Sequence, residues 1–127
     1  MRRMDTLALV LILLSVLLGS VGQVVLKTGM EAVPEISSGL GVVHAFRHPV
    51  VLAGLACYVV ATFAWLVVLQ RVPVSLAYPM ISLNYIFVTL LARYFRGEVV
   101  PPVRYLGLLL ILAGVMVIAR TAAPEKN

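Results

Sequence analysis

Cysteine occurs once in the 127 residues, at Cys57, so no disulfide can close within the chain and no cysteine-based zinc cluster is available. Charge is scarce as well: Asp, Glu, Lys and Arg make up 12% of the residues, where soluble domains carry about a quarter. None of the five acidic residues falls within residues 6–26, 49–70, 72–92 or 105–119. Burying a lone carboxylate in a bilayer costs several kcal/mol, so one found there usually serves coupling or cation binding. Its absence argues against cation antiport. The two histidines share one connecting segment, and no Ser/His/Asp, Cys/His or carboxylate pair emerges, which argues against an enzyme and implies no cofactor. His44 and His48 have the i, i+4 spacing of a metal pair but lack a third ligand nearby, so they read as solvated loop residues and no metal site is expected.

What is present is apolar. Hydrophobic residues make up 62% of the chain and the mean hydropathy is +1.08, which excludes disorder and places the chain in a membrane as a single domain. Thr6 to Leu26 carries no charge and makes a helix of about 31 Å, matching a hydrocarbon core about 30 Å thick. It follows Arg2 and Arg3 in the manner of a secretory signal, yet it is longer than the usual apolar core and lacks a small-x-small cleavage site, so it is expected to be retained. Further spans are expected at residues 49–70, 72–95 and 103–119, giving an all-α, polytopic fold of four transmembrane helices. Residues 27–48 form a long polar link in which Gly39 to Phe46 suits a short interfacial helix.

The net charge of +5 is expected to meet lipid headgroups or anionic ligands rather than nucleic acid. Arg2, Arg3, Arg71, Arg120 and Lys126 flank the spans on one side, against Lys27, Arg47, Arg93, Arg96 and Arg104 on the other. This even division gives no positive-inside bias, leaving dual insertion or an orientation fixed by a partner chain.

At 100° per residue from Ser75, Tyr78 falls at about 300°, Ser82 at about 340°, Tyr85 at about 280° and Thr89 at about 320°, one polar stripe on the third span. Arg93 and Arg96 continue that face to the membrane boundary, where they would attract an anion. Hydroxyls in lipid need partners, so the stripe is expected to face other helices, a wet cavity or a cargo headgroup. Pro79 removes the hydrogen bond to the Ser75 carbonyl and is expected to bend the helix beside the stripe. Asn84 lies opposite and suits a tie to another helix. In the first span Ser15, Gly19 and Gly22 form a small-residue face bordered by Gln23, whose amide suits a sugar, a phosphate or a helix-to-helix bond. Lys27 either snorkels or contacts phosphate. Gly107 and Gly114, seven apart in the fourth span, suit close packing and a dimer seam.

The run Gly22 to Lys27, the run Val72 to Asn84 with its Ala77-Tyr78-Pro79 and Ser82-Leu83-Asn84 steps, the Gly97-Glu98 pair and the Gly107/Gly114 helix together resemble the four-helix members of the drug/metabolite transporter superfamily, EamA-like or small-multidrug-resistance-like. The nearest likeness is to the subunits proposed to flip undecaprenyl-phosphate-linked aminoarabinose. The resemblance implies a half-transporter completed by dimerisation, as a homodimer or with a related four-helix subunit, working by alternating access in a bacterial inner membrane. It also implies a cavity among the first three spans, with the fourth in the dimer contact. Multidrug members carry an essential glutamate where this chain has Gly19 and a tryptophan where it has Ile81, and both departures weaken a drug-pump reading. The expected cargo is therefore a polyprenyl-phosphate-linked sugar, its phosphate attracted by Lys27, Arg93 or Arg96 and its sugar accommodated by Gln23, Ser75, Tyr78, Ser82, Tyr85 and Thr89. Gly19, Gly22, Pro79, Asn84 and Glu98 are expected to shape or gate the path. Glu98 alternatively pairs with Arg96 or Arg104 near a helix end. Two other readings stay open: a small-molecule exporter coupled through Glu98, and a non-transporting membrane partner.

Overall fold

The computed structural model describes residues 5–121, which are helical and without strands, so Arg2, Arg3 and Lys126 of the charge count lie outside the described residues. Six helices follow one another: α1 (Thr6–Glu31), α2 (Gly39–Ala45), α3 (Pro49–Arg71), α4 (Val74–Ile81), α5 (Leu83–Arg96) and α6 (Pro102–Arg120). Four stretches are long and apolar enough to cross a membrane: α1, α3, α4 with α5, and α6. The chain is a multi-pass membrane protein.

The boundaries follow local chemistry. Proline at the first position of α3 and of α6 costs no hydrogen bond and pre-sets the helical φ. His48 caps α3 by accepting from the Val50 N–H through Nδ1 at 3.3 Å, which gives that histidine a backbone role. Gly97 ends α5 with φ 66°, a left-handed conformation that costs glycine little, and the Glu98 N–H donates back to the Ala92 carbonyl at 3.2 Å. The third span breaks three residues after Pro79. At Ser82 the ladder shifts to tighter i to i+3 bonds, Ser82 N–H to Pro79 carbonyl and Tyr85 N–H to Ser82 carbonyl, both 3.0 Å, so α4 and α5 are two segments of one crossing.

Packing is tightest between α1 and α3, while α6 leans on α4 and α5 along a much shorter seam. Glycines set the α1–α3 approach. A Cβ on Gly22 would stand 3.1 Å from the Gly54 carbonyl oxygen, and one on Gly54 would stand 2.7 Å from Leu26 Cγ and 2.9 Å from the Leu26 nitrogen. The buried cluster joins Ala8, Ile12 and Val16 of α1 to Val68 of α3, Leu76, Ala77 and Met80 of α4, and Val115 of α6. Large side chains such as Leu13, Phe63, Leu66, Leu109 and Val117 stay exposed. In a bilayer that is the expected partition, since lipid tails are as apolar as leucine and helices associate through close contact and hydrogen bonds instead.

Candidate functional site

Where α1, α3 and the α4–α5 break diverge, they leave a cavity of about 220 Å³. Ser15, Val16 and Gly19 line it from α1, Tyr58, Ala61, Thr62 and Trp65 from α3, and Ile81 and Asn84 from the two sides of the break. Gly19 meets nothing within 4 Å of where a Cβ would stand, so the missing side chain is part of the space. No acidic or basic residue lines the cavity.

The hydrogen bonds fix what these walls can offer. Ser15 donates its only hydroxyl proton to the Ala61 carbonyl at 2.9 Å, and Thr62 donates its own to the Tyr58 carbonyl at 2.8 Å. Both oxygens are left with lone pairs and no proton to give. The Ser20 hydroxyl has one proton for two acceptors, the Val16 carbonyl at 2.7 Å and Asn84 Oδ1, and whichever takes it the Asn84 amide keeps at least one N–H without a protein acceptor among the described residues. The Tyr58 phenol and the Trp65 indole N–H are likewise unpartnered there, and both side chains are half-buried. The cavity thus combines two acceptors, an amide donor and two aromatic rings, suited to a small polar group bearing several hydrogen-bonding atoms and a positive charge that can rest on a ring.

None of the polar-stripe residues named from the sequence lines this cavity. Tyr78 and Tyr85 are 64% and 63% exposed on the outer surface, Ser75 is exposed, and Ser82 is half-buried at the break itself. The Thr89 hydroxyl donates to the Tyr85 carbonyl one turn back. Gln23 is exposed on α1. The positions named from the sequence that do meet at the cavity are Ser15, Gly19, Ile81 and Asn84, joined by Tyr58, Thr62 and Trp65. Those last three recur at i, i+4 and i+7, so the periodicity applied to the third span would have found them in the second.

The basic residues divide into two groups. Arg96, 14% exposed in its side chain, donates to Glu31 Oε2 at 2.6 Å, to Glu98 Oε1 at 3.0 Å and to Thr28 Oγ1 at 2.8 Å, tying the end of α1 to the end of α5. Lys27 pairs with Glu31 at 3.3 Å. The expected anion attraction at Lys27 and Arg96 therefore meets two carboxylates that the linear sequence places far away or beyond a turn, and this cluster carries no net charge. Arg93 and Arg104 form no ion pair among the described residues. Arg96→Glu should gather three carboxylates at one corner and lower the melting temperature in detergent by several degrees, with the added exchange Glu31→Arg recovering part of the loss. Identical melting of the native chain and both variants would rule out this tie.

The EamA-like transporter family matches residues 6–120. A probable 4-amino-4-deoxy-L-arabinose-phosphoundecaprenol flippase subunit ArnE of Pseudomonas savastanoi pv. phaseolicola is 38% identical over 112 residues, covering 88% of this chain and 96% of that protein. Proteins of the same description from Salmonella paratyphi B and Salmonella typhimurium are 45% identical over 78 residues, 60% of this chain and 70% of theirs. No solved structure matches.

Proposed function

The chain belongs to the EamA-like transporter family and is a membrane transporter or flippase subunit, and we propose that its cargo is a polyprenyl-phosphate-linked amino sugar of the kind for which its relatives are named. The observation that carries this reading is the cavity between α1, α3 and the α4–α5 break, walled by hydroxyl lone pairs, an amide and two aromatic rings, with no carboxylate. A protonated amino sugar matches it group for group. Its ammonium rests on the Trp65 or Tyr58 face and donates to Ser15 and Thr62, and its hydroxyls accept from Asn84 and the Trp65 indole. The absence of a carboxylate suits a cargo that enters and leaves repeatedly, because a buried ion pair would hold the ammonium too firmly.

The cavity is smaller than the roughly 300–1,000 Å³ of ordinary ligand pockets. A second four-helix chain, identical or related, would enlarge it and supply the inverted half that alternating access across the inner membrane needs. The open flanks of Gly107 and Gly114 on α6 support such a contact.

Proteoliposomes carrying the chain with its partner subunit, loaded with undecaprenyl-phosphate-linked aminoarabinose, test the cargo. Trp65→Ala should slow flipping at least tenfold, about 1.4 kcal/mol, in line with one desolvated ring contact. A rate unchanged in this variant and in Asn84→Ala would overturn the assignment of the cavity.

A further inference from the structure

A second hollow lies on the other side of α5. Ile86 and Leu90 of α5 and Tyr105, Leu108, Leu109 and Leu112 of α6 enclose about 250 Å³ with a wholly apolar lining. At 100° per residue, Ile86 and Leu90 stand roughly 200° and 240° around α5 from Asn84, so this groove and the headgroup cavity use opposite faces of one helix. Ile86, Leu90 and Arg93 share a face within about 60° of one another, and Arg104 adjoins Tyr105 where α6 begins. Both arginines are exposed and stand at the membrane boundary that joins α5 to α6. With Lys27 and Arg96 neutralised by Glu31 and Glu98, these two are the cations on this hairpin left without a carboxylate among the described residues. Arg93 makes only a long 3.4 Å contact to the Glu98 backbone carbonyl.

We infer that the α5–α6 groove, with Arg93 and Arg104 at its mouth, is a docking site for the prenyl-phosphate stem of the cargo, separate from the headgroup cavity. This rests on the lipid-linked cargo proposed above. An apolar trough beside two guanidiniums that form no ion pair among the described residues complements a lipid whose long hydrocarbon chain ends in a phosphate, and guanidinium pairs with phosphate through paired hydrogen bonds. A second copy of the chain is a poorer occupant. Gly107 and Gly114, which admit a close backbone, lie roughly 140–160° around α6 from Leu109 and Leu112, so a partner seated on them leaves the groove open. Asn84 and Arg93 are nine residues apart, about 13 Å along the helix. A sugar joined directly to its phosphate cannot occupy both places at once, so docking at the arginines precedes entry of the headgroup into the cavity.

The test uses the full chain with its partner subunit in lipid discs of phosphatidylcholine, probed with undecaprenyl phosphate lacking the sugar and read by native mass spectrometry. Arg93→Gln with Arg104→Gln should lower retention at least tenfold, while Arg93→Lys with Arg104→Lys keeps most of it. Leu109→Trp, which fills the trough and leaves both arginines in place, should lower it similarly, and undecaprenol without phosphate should be held no better by the native chain than by the glutamine variant. Trp65→Ala should still retain undecaprenyl phosphate while flipping of the amino-sugar lipid slows. If that flipping proves absent but retention depends on the arginines, the docking site stands and the cargo reading falls. Retention indifferent to the arginines or to Leu109→Trp overturns the docking site, as does a Leu109→Trp variant that loses its dimer and keeps its lipid.

Discussion

Gly19→Glu should convert the cavity into a tight site for lipophilic cations, raising affinity for tetraphenylphosphonium at least a hundredfold over the native chain. The position is open, with nothing within 4 Å of the new Cβ, and it looks onto Tyr58 and Trp65 across the same cavity. An isolated carboxylate is costly at that depth, so the new side chain stays protonated until a cation arrives to pair with it. Binding then releases a proton, and affinity should climb as the pH is raised, since the proton competes with the cation for one group. The aromatic rings already present add their own attraction for a delocalised positive charge. Isothermal titration in two buffers of different ionisation enthalpy reads affinity and proton release together. Binding no tighter than in the native chain, or tight binding indifferent to pH, would show that position 19 does not face a cation-accessible space.

The four crossings were legible from uncharged runs of bilayer length, because that signal depends only on composition and span, and the helix expected over Gly39 to Phe46 is found at Gly39–Ala45. The polar stripe shows where such reading stops. The angles from Ser75 to Arg96 assume one uniform helix, whereas the tightened bonds at Ser82 separate α4 from α5 and change which residues share a side. How each helix is rotated about its own axis is decided by its neighbours, here by the glycine contact of Gly22 with Gly54, and no single span contains that information. Arg96 is a second instance. Its face on the third span was readable, but its partner Glu31 lies 65 residues earlier in the chain and only the fold brings them together. Gly97 and Glu98, quoted from the sequence as a family mark, acquire a physical reason: a left-handed glycine turns the chain so that the next carboxylate returns to Arg96.

Gly54→Ala, like Gly29→Ala on the same α1–α3 seam, should be among the most damaging single methyls added to the chain, costing about 1–3 kcal/mol in overpacking. The new Cβ would stand 2.9 Å from the backbone nitrogen of Leu26 and 2.7 Å from its Cγ. A flexible side chain can swing aside, but the nitrogen belongs to the continuous α1 helix and moves only with it. The clash therefore forces α1 and α3 apart along the tightest seam in the fold, and with it the Ser15 to Ala61 bond that spans them beside the cavity. Water cannot drive the two helices back together in a bilayer, so lost contact there is not recovered by burying other apolar surface. Gly39→Ala is the matched comparison, since its Cβ meets nothing within 4 Å and its backbone conformation suits any residue. Melting of both variants in the same detergent should show Gly54→Ala many degrees lower and Gly39→Ala at or above the native value, with flipping lost in the first. Equal melting of the two would mean that the α1–α3 approach does not depend on the missing side chain, and the walls of the cavity would then need another cause for their position.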